Sequence, residues 1–465
     1  MRHRFHDQTG SVTLVALCLT TVLAIALGSY IALCQRSYDL STQLLHEDKV
    51  RQLAQTGLEE ALWALNQNSW TGSGPAGDVA WTTRGANRTI VLAYGSLGQG
   101  ATGQIALTVA NFAGTGPVWP AITSTATLTL GDGRVFTKTL QATTGPAPLF
   151  GNAIASVNSY VSFTSQGTVD SWNSNPDGNP ATPVVAYSFT AGNAANYAAV
   201  IAANDSGTTS IALNQALVYG YLATNGQPVS YSTSGSPPGS VKGPGTAATV
   251  AVEPGRLGKS AFIPASAVFT VNTPALVPGS FTLFSWLAAL LTIGPADNAI
   301  YSAPAGFAMP TGLLGYTLNI ARPVKMVVNG DFVIGSGLLG PAQIVVQSPN
   351  GSLAVFVSGN VAIGGGGVVN QTNDPRKVAF FCTNGSTTGS VQYTSTADFC
   401  GVIYSENMPI DIQQNATFYG ALLSGQYVSF SAGATNPQFH YDTALRHALF
   451  ADVTTPYVIL LLTES

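Results

Sequence analysis

Charge is what this sequence has least of. Its 17 Lys+Arg and 21 Asp+Glu amount to 8% of 465 residues, with a net charge of −4, where soluble domains average about 25% charged. A chain that stays unfolded combines low hydrophobicity with high net charge, but here 46% of residues are apolar. A coiled coil is rich in Glu, Lys, Arg and Leu, which this chain is not. A nucleic-acid surface needs a basic patch, so nucleic acid is not expected as a partner. Histidine is scarce, with five in all, which leaves little for histidine-dependent catalysis. Only one apolar run reaches membrane-spanning length, which excludes a multi-span membrane protein. In place of charge stand Ser, Thr, Asn and Gly, the last with 50 residues. A singly anchored, Gly/Ser/Thr/Val-rich β protein fits.

The first 70 residues differ from the rest. They hold 11 of the 38 charges and no proline before Pro75. Between Asp7 and Arg36 there is no charge, and the 23-residue run Ser11–Leu33 is apolar. As a helix it measures about 35 Å, enough to cross a hydrocarbon core of roughly 30 Å. A secretory signal has an apolar run of about 7–15 residues and a small-x-small cleavage site, which fits this segment poorly. Arg2 and Arg4 precede the span, so the positive-inside bias puts the N-terminus in the cytoplasm and the bulk in the periplasm. The helical pattern then continues, with Leu40, Leu44, Leu53, Ala54, Leu58, Ala61, Leu62 and Leu65 at mostly i, i+3, i+4 spacing.

Residues 8–17 (QTGSVTLVAL) and 53–62 (LAQTGLEEAL) resemble the start and end of the PilX-type N-terminal region of type IV pilus assembly proteins. The second segment carries Gly57, Leu58, Glu59 and Glu60 of an A-x-x-G-L-E-E-A-L-like motif. The resemblance implies a leader over 1–10, cut by a prepilin peptidase between Gly10 and Ser11, and a pilin-like helix over 11–68. It also implies inner-membrane lipid and other pilin or pseudopilin subunits as partners. Major pilins carry Glu at the fifth mature position; here that position is Val15, which points to a minor, initiating or tip-type subunit.

After a breaker-rich linker at 71–79, strand-like segments at 89–94 and 104–110 and a hairpin over 124–141, turned by Asp132-Gly133, predict a small antiparallel β unit over 80–145. From about 150 to 447, short apolar strands alternate with Gly/Asn/Ser turns, as in 325–335, 353–364, 378–382 and 409–430. This fits a right-handed parallel β-helix, with an elaborate sandwich as the other arrangement. Residues 151–172, 212–225 and 415–445, ending in His440-Tyr441-Asp442, resemble the domain that often accompanies PilX-type stems. Residues 448–465 are expected to be a C-terminal tail. The fold class is therefore mainly β with one long N-terminal helix. The apolar stretch 281–293 is too short to span a membrane and reads as a buried helix, or as an exposed patch for a partner subunit.

No catalytic constellation emerges, and no cofactor or metal is expected. Two G-x-G-x-x-G matches, at 72–77 and 335–340, lack the strand-then-helix context of a dinucleotide site. Gly258-Lys259-Ser260 lacks the leading glycine of a P-loop. His440, Asp442 and His447 read as residues closing the last coil rather than as metal ligands, and Asp170, Asp177 and Asp205 as turn residues rather than a calcium site. Cys382 and Cys400 each end an apolar strand. Their separation is close to one coil, so a disulfide is expected. Together these readings point to a non-enzymatic filament component, a minor pilin or pseudopilin. A membrane-tethered β-helix adhesin or polysaccharide-binding surface protein is the alternative.

Overall fold

With no proline and a heavy share of Leu and Ala, residues 9–67 suit one unbroken helix, and they form one. In the computed structural model α1 spans Thr9–Gln67, 59 residues, about 88 Å of rise. Val12–Ser41 are exposed, and this half is long and apolar enough to cross a membrane. The helix ends at Asn68, whose φ of 49° is left-handed, while Ser69 N–H donates to the Ala64 carbonyl at 3.1 Å. That is the Schellman closure, and asparagine tolerates the left-handed position. The structure describes residues 9–464 apart from 75–76, 99, 114–118, 180–181, 206, 208, 225, 232–237, 248–249, 258–268, 277–289, 294–298, 310–315, 336–339 and 432.

The chain folds as two units, Met1–Ala147 with Pro456–Ser465, and Pro148–Thr455. In the first, a six-stranded antiparallel sheet runs in the order Thr82–Arg84, Asn87–Tyr94, Thr102–Ala110, Ala121–Thr129, Val135–Pro146, Tyr457–Glu464. Alternation within these strands turns Ile90, Leu92, Ile105, Leu107, Val109, Ile122, Ala126, Leu128, Leu140 and Ala142 inward. They bury the face of α1 formed by Val50, Ala54, Leu58, Ala61, Ala64 and Leu65. The last strand is a correction: residues 457–464 were expected in a tail, and they complete this sheet beside Val135–Pro146.

The second unit is built of parallel ladders. One joins Leu290–Ile293, Thr317–Ile320, Gln343–Val346 and Gly367–Asn370. A second stacks Ala299–Ala303, Pro323–Val328, Ser352–Val357, Val378–Cys382, Phe399–Ser405 and Thr417–Ser424. A third stacks Phe307–Met309, Phe332–Ile334, Val361–Ile363, Val391–Tyr393, Ile410–Ile412 and Val428–Phe430. The chain thus visits the same faces in turn, and each visit lies beside the previous one. Inward rings sit over one another: Phe399 on Phe418 at 5.6 Å, Phe418 on Phe439 at 6.0 Å, and Phe163 on Phe430 at 4.3 Å. Full burial of each such ring is worth roughly 1.5–3 kcal/mol.

Chain order and spatial order differ. Beyond Thr417–Ser424 and Val428–Phe430, the next strands in space are Ile154–Ser156 and Val161–Phe163, from the start of the unit. Gln438–Asp442 pairs with Gln166–Trp172, and Ala199–Ala203 and Ile211–Ala223 follow. The unit's first and last strands therefore meet inside the stack. At this junction long strands change partners at a glycine. A Cβ at Gly420 (φ 143°) would lie 1.8 Å from the Gly401 carbonyl oxygen, and one at Gly220 would lie 1.9 Å from that of Ala199.

Of the apolar stretch read as a helix over 281–293, Leu290–Ile293 is a strand of the first ladder; the remainder lies outside the described residues. Its partner Thr317–Ile320 offers an edge that a short apolar segment satisfies with hydrogen bonds a helix could not make.

Candidate functional site

Two places carry the residues singled out in the sequence. The first is the sheet-facing side of α1. Gly57 is buried there, and a Cβ on it would lie 2.5 Å from Ile105 Cγ2 and from Ser124 Oγ and 2.7 Å from Leu107 Cδ2. Glycine is the residue that allows helix and sheet to approach this closely. The closeness lets Ser124 Oγ donate to the Ala54 carbonyl at 2.7 Å, a buried hydrogen bond from sheet to helix. Leu58 is buried beside it, Glu59 is exposed and Glu60 is partly buried. The motif residues are thus a docking surface with a polar back. Gly10 and Ser11 lie in the opening turns of α1, where only the backbone is described.

The second place is the junction in the parallel stack. Register sets Cys400 beside Tyr419, Tyr419 beside His440, and His440 beside Asp170 on successive strands. Asp170, expected in a turn, lies within strand Gln166–Trp172. Its Oδ1 is 2.7 Å from His440 Nδ1, and its Oδ2 accepts from the Tyr187 hydroxyl at 2.7 Å. Tyr187 stacks on the His440 ring with centroids 3.7 Å apart. The chain after Trp172 brings Tyr187 there. Asn196 ties it down, donating to the carbonyls of Ser171 at 2.7 Å and Ser188 at 3.0 Å and accepting from Thr190 N–H. Asp442 anchors the near end by accepting from Ser174 N–H and Oγ and from Ala444 N–H. Tyr441 points inward and donates to the Phe150 carbonyl at 2.8 Å.

The electrostatics follow from burial. Burial first, then the hydrogen bond to Asp170, holds the Tyr187 phenol far above its ordinary range. Burial raises Asp442 as well, partly offset by its hydrogen bonds from Ser174 and Ala444. Burial pushes the Cys382 thiol up to about 12, and burial with Asp374 and Asp442 pushes up that of Cys400. Neither sulfur is a thiolate nucleophile at neutral pH. His440 stands two strands from Cys400, about 10 Å, with Tyr419 between, so they form no Cys–His pair.

The expected disulfide is a further correction: both cysteines are free. Cys382 pairs in register with Ser405, whereas Cys400 lies five residues earlier on that strand, opposite Tyr419. Five residues of strand are about 17 Å, and a disulfide needs Cα atoms within about 7 Å. The two cysteines lie on neighbouring strands but are offset along them. His447 lies in the short helix Thr443–His447, and no group of three or more metal-binding side chains occurs among the described residues. Gly72 and Gly74 lie in the hairpin strand Thr71–Gly74, paired with Gly77–Ala80. Of the second glycine match, 336–339 lie outside the described residues, as do Gly258, Lys259 and Ser260.

Sequence reasoning missed Trp172, Tyr187 and Tyr419. The 270-residue separation of Asp170 from His440 left no local signal to connect them.

Residues 317–448 match a domain of unknown function (DUF7305). These residues run from the second strand of the first ladder through the His440 segment. No curated protein matches the chain. Among solved structures, the competence-associated pilin ComZ from Thermus thermophilus aligns at 11% identity, over 90% of this chain and 97% of that one, with a TM-score of 0.23. At that score the likeness carries no weight for fold or function.

Proposed function

We propose that this protein is a non-enzymatic structural or assembly component of a type IV pilus or related secretion-type filament, a PilX-like minor pilin or pseudopilin. One observation carries the reading: α1 is apolar and exposed over its first half and docks on an antiparallel sheet through Ala54, Gly57, Leu58 and Ala61 over its second. A helix exposed on all sides that is apolar needs a bilayer or other helices around it. In this reading the segment 11–33 sits in inner-membrane lipid with its N-terminus cytoplasmic, and then packs against neighbouring subunits through its small and apolar residues. Prepilin peptidase removes 1–10.

The second unit is, on this proposal, a right-handed parallel β-helix carried on the periplasmic or cell-surface side. Three ladders in parallel register support it, and parallel crossovers within a sheet are right-handed in about 98% of cases. The covered His440–Asp170 pair favours a structural role over a catalytic one. Substituting Gly10→Leu tests the proposal. The expected result is an unprocessed protein held in the inner membrane and missing from sheared filaments. Wild type and variant alike in mass and membrane level, with neither present in sheared filaments, would favour a tethered adhesin instead.

A further inference from the structure

Beside the buried His440–Asp170 pair, the second unit holds a cavity of about 190 Å³ lined by Trp172, Ala186, Tyr187, Asn373, Cys400 and Tyr419. Three of its walls are aromatic and meet like the corner of a box. Trp172 and Tyr187 stand at 86° with centroids 5.7 Å apart, Trp172 and Tyr419 at 89° and 5.9 Å, and Tyr187 and Tyr419 at 65° and 5.7 Å. The corner is held from behind: Tyr187 donates to Asp170, and Trp172 Nε1 donates to the Val185 carbonyl at 3.3 Å. The rings are thus preset.

The surroundings are negative. Asp170 and Asp398 act electrostatically on Tyr419, and Asp374 and Asp442 on Cys400. Of the nearby cationic groups, His440 pairs with Asp170 at 2.7 Å and Arg376 with Asp374 through Nε at 2.8 Å and Nη2 at 3.0 Å, so the excess negative charge is carried by Asp398 and Asp442. Arg446 donates to the Ala198 carbonyl and lies over the Tyr441 ring. An anion would meet carboxylates and the negative faces of the rings. A neutral sugar stacks flat on one open ring face, and three rings set at 65–89° to one another around so small a cavity offer no such platform. A compact organic cation gains from both the carboxylates and the ring faces, because ring quadrupoles attract ammonium groups and do so most strongly when the site is desolvated.

We propose that this cavity binds a small alkylammonium group, seated against Trp172, Tyr187 and Tyr419. The chemistry is shared by a free quaternary amine and a choline-type headgroup. The inference is independent of the filament role, since it rests on the second unit alone.

Saturation-transfer NMR on the full chain, in a detergent free of choline groups, tests it. The probes are choline, phosphocholine and the neutral isostere 3,3-dimethylbutan-1-ol. Choline is expected to saturate, with the isostere at least about tenfold weaker. Tyr419→Leu is expected to weaken choline by about tenfold, and Tyr419→Phe, which keeps the ring face, by no more than about threefold. Phosphocholine binding as tightly as choline supports a headgroup source, and weaker binding a free amine. The proposal is overturned if the isostere matches choline, if Tyr419→Leu binds like the wild type, or if the correctly folded wild type shows no saturable binding.

Discussion

At residue scale, the stem motif has a packing explanation. Gly57 is where helix and sheet touch most closely, with Ile105, Ser124 and Leu107 occupying the space a side chain would need. Gly57→Leu must push the helix away from the sheet and break the Ser124-to-Ala54 hydrogen bond. Overpacking of this kind costs about 1–3 kcal/mol. Thermal unfolding of the full chain in detergent should show a clear drop in Tm for Gly57→Leu and none for Glu59→Gln, whose side chain is exposed. Equal Tm values would mean the glycine is not a contact point. This residue stood out through the resemblance of 53–62 to a PilX-type motif, and the local spacing of Ala54, Leu58 and Ala61 marked the helix face beside it. Asp170 was not, because its meaning comes from a strand 270 residues away. A carboxylate among Gly, Asn and Ser looks like a turn residue until its neighbour across the ladder is known.

At the scale of elements, the antiparallel unit was readable where strands alternate and turns are marked, as at Asp132-Gly133. The closing strand Tyr457–Glu464 was overlooked, although its apolar and β-branched residues have strand character. It pairs with Val135–Pro146, and Glu464 bridges Arg51 at 3.2 Å and Lys138 at 2.9 Å. Hydrogen bonding from Lys138, then the charges of Arg51 and Lys138, hold the Glu464 carboxyl below its usual range. Deleting 456–465 turns Val135–Pro146 into an open edge. Hydrogen exchange should then show at least about a tenfold loss of protection in outward-facing amides of 135–146, while the ladder strands 323–328 and 352–357 keep theirs. Unchanged protection at 135–146 would show that the last strand is dispensable. Register was the other illegible quantity. Cys382 and Cys400 lie on adjacent strands, but only the pairing of Cys382 with Ser405 shows that they are offset along those strands.

At the scale of the whole molecule, the charge scarcity of the sequence corresponds to two kinds of surface: a helix half made for an apolar environment, and ladders whose turns are made by Gly, Asn and Ser. Spatial order in the second unit could not be read from chain order. Strands 154–172 sit between 417–442 and 199–223, so the unit is completed only when its two ends come together. The stretches 151–172, 212–225 and 415–445, far apart in the chain, are neighbours in the stack. The central claim concerns the stem, and the mature N-terminus tests it most directly. Intact-mass measurement of the protein recovered from sheared filaments should give a chain beginning at Ser11, without residues 1–10. A chain still beginning at Met1, present in the membrane and absent from filaments, would contradict the account.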